Sequence, residues 1–465
     1  MTTGLFALRQ RGGAGIAILV VLVLLLAGAG AARFLMDWDK PKITVGLSGD
    51  YFSLKPFDIQ VTDARSGVSS VQVSLEKDGQ RTLLFSKTWD SPQPDAVVTV
   101  DAKSANIGNK PGAATLIVKA IDGAEHYVVA GNTAVLKKPV KLDFKPPTLE
   151  VMSTQHYVNQ GGVGLVIYSV SDDTVRHGVQ VGKRFFPGYG GHFSDPHIQM
   201  AYFAHAYDTD ASVTPVLIAE DAAGNQRKAS FSYHLRPKRF RSRTLNVSDS
   251  FVKGKVTDLL GGAAAGLTDE QIFVKVNKDM RAQNEARIKR ITSGHTNKQY
   301  WHGKFNQLSN SKVEANFADH RSYKYHGKII NDAWHLGYDL SVTKHYPVEA
   351  ANAGVVVFAD DNGIYGNTVI IDHGMGLFTL YSHLSSFAVQ KGDKVEKKQI
   401  LGRTGATGLA VGDHLHYGTY LNGVAVLPIE WWDKKWIRDN ITRKINEVKT
   451  ELGEDTKAQK KPGKS

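Results

Sequence analysis

Apolar positions follow different rules in successive parts of this chain, and each rule predicts a different element. Ala14–Ala32 (AGIAILVVLVLLLAGAGAA) is apolar without interruption and uncharged. At about 1.5 Å per residue, a helix of that length crosses most of the hydrocarbon layer of a membrane. From Pro41 to Pro237 short runs alternate apolar with polar residues, as in Phe57–Val61 and Val68–Leu75, and turn residues separate them. That period of two predicts half-buried strands. Two stretches echo each other: Asp39–Val45 resembles Phe144–Val151, and Leu116–His126 resembles Leu217–Gln226. The offset, about 100 residues, is the size of an immunoglobulin-like sandwich, so two β-sandwich-like modules are expected, at 40–140 and 141–238.

After the basic run Arg236–Arg243 (RPKRFRSR) the pattern turns helical. Thr268 followed by Gln271 has capping-box spacing, and helix formers continue to Ile291. This makes 239–299 a linker with a helix. Residues 300–433 are rich in Gly, His and β-branched residues and read as a further β domain. A helix candidate starts at Pro428, and 434–465 is expected to be a C-terminal helix followed by a disordered polar tail. The fold class expected is mainly β: an N-terminal transmembrane helix over 14–34, two β-sandwich-like modules, a helical connector and a C-terminal antiparallel domain.

Arg9 and Arg11 precede the apolar segment, so 1–13 is expected to be a short cytoplasmic N-terminus and the remainder to lie across the membrane. Ala27-Gly28-Ala29 and Ala29-Gly30-Ala31 also resemble a signal cleavage site. Both readings export the rest of the chain. The expected location is the inner membrane, single-pass, with the C-terminal part in the periplasm or outside. The 465 residues contain no cysteine, which excludes disulfides, thiolate metal sites and a thiol nucleophile. A net charge of +12 favours an anionic polymer or membrane surface. No aromatic-basic nucleic-acid motif is present, and nucleic acid is not an expected partner.

The chemistry concentrates near the C-terminus. In GDHLHYG (Gly412–Gly418), His414 and His416 stand two apart and would share one face of a strand. WHLGYDL places His335 and Asp339 four apart, and TLYSHLSSF supplies His383 between the two motifs. Three N and O donors with an open fourth position describe a catalytic zinc site. Tyr381, two residues before His383, would share its strand face and line the pocket, or else pack in the core.

These pieces, in their order, resemble the lysostaphin-type (LytM-like) zinc metallopeptidases, a family of peptidoglycan endopeptidases. The resemblance covers about 300–433 and runs through FADHR (Phe317–Arg321), HLGYD (His335–Asp339), LYSHL (Leu380–Leu384), GDHLHYG and PIEWW (Pro428–Trp432). It implies a two-sheet β fold with a groove over one sheet, and one Zn2+ per active site held by His335, Asp339 and His416. It also implies a catalytic pair, His414 and His383, whose roles are interchangeable, and a place for Arg321 in the substrate groove. The chain departs from the family at Ala318, where glycine is usual. The function implied is a zinc-dependent endopeptidase that hydrolyses peptide cross-links of peptidoglycan. Its expected partners are the peptidoglycan peptide, the cell membrane through the N-terminal segment, and an envelope regulatory protein. The alternative is a catalytically silent or autoinhibited scaffold that activates other cell-wall hydrolases.

Overall fold

The computed structural model describes residues 18–26, 37–47, 49–105, 107–108, 110–124, 131–294 and 296–454. Of the segment expected to cross a membrane, residues 18–26 are helical and exposed, while 14–17 and 27–34 lie outside the described residues, as do 1–13 and the tail from 455. No helix among the described residues is long and apolar enough to cross a membrane.

The chain divides into two compact units, Met1–Pro146 with Glu220–Asn225, and Pro147–Ala219 with Gln226–Ser465. The first holds a three-stranded sheet (Lys42–Val45, Phe57–Thr62, Asp95–Val100) and a five-stranded sheet ordered Tyr51–Phe52, Thr133–Leu142, Gly112–Asp122, Val68–Lys77, Gln80–Gln93. Strict alternation builds it: Phe57, Ile59 and Val61 are buried while Asp58 and Gln60 are exposed. Residues from both sheets, Ile59, Val73 and Val118 among them, share one core.

The second unit has a different logic. Val163–Val170 pairs with Ile198–Ala204 and Leu149–Val151, and all but one of its eight residues are buried. Such continuous burial requires cover on both faces, and helix Arg443–Glu451 contributes it, with Lys444 Nζ donating to Leu165 O at 3.1 Å. One hydrophobic core therefore runs through residues 158–219, the connector helices and the C-terminal domain. Glu430 ties the parts together, accepting from Asn159 Nδ2 at 2.7 Å and from Val163 N at 2.9 Å.

In the connector, Thr268 and Gln271 form both halves of the capping box ahead of Asp269–Val274, and the helix continues through a π-helical stretch, Lys275–Met280, into Arg281–Thr292. Ile272, Phe273, Val276 and Ile288 are its buried face. The C-terminal domain centres on a sheet ordered Lys312–Ala315, Tyr338–Ser341, Leu415–Leu421, Leu377–Leu384, Asn367–Gly374, Gly354–Asp361, Lys394–Val395, with neighbours antiparallel. A smaller sheet joins the hairpin Asp319–Tyr325 and Lys328–His335 to Ser242–Asn246, which pairs in parallel. The closing helix comes in two pieces, Pro428–Trp432 and a run from Lys434, because Asp433 takes an extended conformation and caps the second.

Candidate metal centre

Strand register assembles the site. Asp339 and His416 face each other directly across the antiparallel pair Tyr338–Ser341 and Leu415–Leu421. His335 ends its own strand, and the chain then turns through Gly337, where a Cβ would come within 2.5 Å of Tyr417 O and 2.7 Å of His416 Nε2. Only glycine lets the backbone pass that closely.

Three donor atoms converge. His335 Nε2 lies 2.9 Å from Asp339 Oδ1 and 3.0 Å from His416 Nδ1, and His416 Nδ1 lies 3.0 Å from the same Asp339 oxygen. His335 Nδ1 donates to Asn316 O at 2.9 Å, so in the neutral ring Nε2 is the atom carrying the lone pair. A lone pair facing a carboxylate oxygen and a second imidazole nitrogen calls for a cation among them. Two imidazoles and one carboxylate, with an open side on the pocket, are a donor set that suits a divalent metal, zinc included, at a catalytic rather than a closed structural site. The residues present fit such an ion.

The surroundings set the charge. Burial on its own would raise the Asp339 carboxyl, but His335, His414 and His416 outweigh it and hold the group well below the usual carboxylate range. Arg321 Nη2 donates to the other oxygen, Oδ2, at 3.0 Å. Burial, with the charges of nearby histidines, pushes His416 down to about 4 and His383 well below its ordinary value. His414 moves the other way: burial would lower it, but Asp339 raises it.

His414 and His383 flank the donors without joining them. His414 Nε2 is 3.5 Å from Asp339 Oδ1, and the His383 and His414 rings lie 4.8 Å apart. His414 Nδ1 donates to Gly412 O and His383 Nδ1 to Thr407 O, each at 2.8 Å. Each neutral ring thus offers Nε2 to the site. Tyr381 does not line the pocket. It is 1% exposed, pairs in register with Tyr417 on the core face, and bonds to Ala351 N and Thr379 Oγ1. Strict alternation would have put His383 there too. Its φ of 63° breaks the alternation and turns the ring into the groove. Ala318 likewise adopts φ 57°, a left-handed backbone at which glycine carries no penalty.

A cavity of about 550 Å³ opens over this cluster. Arg321, Tyr323, Tyr365 and the loop Leu409–Asp413 line it, as do Leu245, Phe251, Phe273 and Arg281 from the connector. The connector residues escaped the sequence reading, since nothing in a local pattern says which pocket a side chain closes. Four other histidines of the domain pair elsewhere: His320 with Asp332, His326 with Asp249, His345 with Ser385, and His373 with Ala353 O and Thr379.

Residues 333–428 match peptidase family M23. Over 107 residues the chain is 38% identical to the DD-carboxypeptidase/endopeptidase Mpg of Neisseria meningitidis, covering 23% of this chain and 25% of that protein. Over 112 residues it is 36% identical to the peptidoglycan DD-endopeptidase ShyA of Vibrio cholerae, covering 24% and 25%. The chain thus spans about a quarter of the length of the curated relatives it matches. Among solved structures it is similar to the catalytic domain of the antimicrobial peptidase lysostaphin from Staphylococcus simulans, at 27% identity and a TM-score of 0.24, covering 28% of this chain and 98% of that one.

Proposed function

Residues 333–428 being a peptidase family M23 domain, we propose that this chain is a zinc-dependent endopeptidase that hydrolyses peptide cross-links of peptidoglycan in the cell envelope. The observation that carries the reading is the convergence of His335 Nε2, Asp339 Oδ1 and His416 Nδ1 within 3.0 Å of one another at the floor of an open cavity. These three residues would hold the ion. Zinc bound there supplies a Lewis acid for the scissile carbonyl and a water acidic enough to attack near neutral pH.

The protein's own groups do the rest. Asp339, kept ionised by its neighbours, and Asn316 O, which orients His335, preset the donors. His383, and His414 in its deprotonated form, each present an Nε2 that can take the proton of the attacking water, and the protonated ring can return it to the leaving amine. Arg321 holds the outer oxygen of Asp339 and so fixes the carboxylate plane. The presence of all five residues favours a catalyst over a silent scaffold. The apolar run Ala14–Ala32 supports a location at the cell membrane, with the peptidase domain outside the cytoplasm and an envelope protein as regulator.

The test is release of soluble muropeptides from purified sacculi by the full chain, with and without a chelator. Products that stop with the chelator and resume with added zinc are expected. Sacculi left intact by zinc-loaded protein would overturn the reading.

A further inference from the structure

Arg281 is a cation with an unfinished complement. It comes from the connector helix, outside the matched peptidase residues, yet it lines the cavity over the metal-binding cluster. Its side chain is only 18% exposed. Asn277, one turn earlier, grips the guanidinium from behind, with Nε donating to Asn277 O at 3.2 Å and Nη2 to Asn277 Oδ1 at 2.7 Å. Asn277 is itself braced by Asn331 across the helix-sheet contact. The guanidinium is therefore aimed before any ligand arrives.

Its charge is poorly matched. Among the described residues the carboxylate paired with it is Glu285, at 4.0 Å from Nη1, the outer limit of an ion pair. Burial raises the Glu285 carboxyl toward its neutral form, against the pull of Arg281 and a hydrogen bond from Tyr365. The other arginine of the cavity, Arg321, has Asp339 at 3.0 Å. A largely buried charge whose close partners are neutral is costly, and in a substrate cavity the cost is offset when a ligand supplies the anion. Tyr365 links this place to the chemistry, since its ring lies 5.5 Å from that of His416.

We propose that Arg281 anchors a free carboxylate of the peptide substrate and so makes the enzyme selective for acidic peptides. The proposal rests on the peptidase reading and names its substrate class. A guanidinium with its Nε and one Nη2 hydrogen engaged by Asn277 still has N–H groups for a carboxylate. The carboxylate is either that of the chain terminus or that of an acidic side chain in the stem peptide.

The test is isothermal titration calorimetry with the chelator-treated full chain and three synthetic stem pentapeptides: the free acid, its C-terminal amide, and an analogue amidated on the side-chain carboxylates. Wild type should bind the free acid about 10- to 100-fold more tightly than one of the amides, and the weak amide identifies the source. Arg281→Gln, with its thermal melt compared to wild type, should remove that preference and leave the weak amide's affinity unchanged. Glu285→Gln should bind the acid at least as tightly as wild type, because it removes the competing carboxyl. Equal binding of all three peptides, no binding of any, an equal loss on all three in Arg281→Gln, or the same loss in Glu285→Gln would each overturn the proposal, the last by showing a structural ion pair. Cleavage of sacculi is scored separately: discrimination without cleavage sinks the peptidase reading alone, and cleavage without discrimination sinks only the role of Arg281.

Discussion

Replacing His416 by alanine takes Nδ1 out of a group of three donors and leaves His335 Nε2 and Asp339 Oδ1, 2.9 Å apart, as the pair remaining. Structural zinc with four ligands binds with about 10–16 kcal/mol, so one ligand's share is about 3–4 kcal/mol, or a loss of about 10²–10³ in affinity. The residue removed is only 4% exposed, so the substitution takes the donor from the buried floor of the site. His414→Ala is the informative contrast. Its Nε2 stands 3.5 Å from Asp339 Oδ1, outside the donor group, and its side chain is 18% exposed. Losing it should weaken the metal by about 10-fold, the scale of an outer neighbour, while removing proton transfer should lower kcat by about 10²–10⁴. Zinc affinity is read by competition with a chromogenic chelator and kcat by muropeptide release on the same preparations. If the two variants keep zinc equally well, or if His414→Ala loses it as completely as His416→Ala, the division into ligands and proton carriers is refuted.

Further tests probe the frame around the site. At Gly366, with φ +60°, a Cβ would lie 2.4 Å from Thr407 C and Oγ1, and Thr407 O holds His383. Gly366→Ala should therefore destabilise by about 2–5 kcal/mol in denaturant melts and cut activity by about 10² through displacement of His383. Burial raises Glu430 from 4.5 to about 7, so between those pH values the folded chain keeps a proton that the unfolded chain releases. Stability should fall by about 3 kcal/mol on that account as pH rises through the window, and Glu430→Gln should remove this slope; an unchanged slope would contradict the buried acid. His373, lowered by burial from 6.5 to about 4, has the opposite sign. There the unfolded chain takes up the proton first, so about 3 kcal/mol is lost as pH falls from 6.5 to 4, and His373→Asn should flatten that part of an acid melt.

Much of this was legible in the chain. Alternation in Phe57–Val61, the Thr268–Gln271 box and the order of the histidine motifs each have a local cause, visible within a few residues. Val163–Val170 resisted such reading because its second face is covered by a helix almost 280 residues later in the chain. Tyr381 misled for a related reason: the period of two held along its strand and failed at His383, where one left-handed residue reverses the facing.

By itself the sequence determined the alternating strands of the first unit, the capped connector helix, the absence of thiol chemistry, and the donor set available to a metal, because period, composition and residue type are local properties. Only the tertiary structure decided that Asp339 and His416 stand opposite each other, that the module at 147–219 shares a core with the C-terminal domain, and that Arg281 reaches the cavity. Register and packing depend on partners far away in the chain. Which of two chemically equal side chains enters a site is settled by the surface that arrives to cover the other.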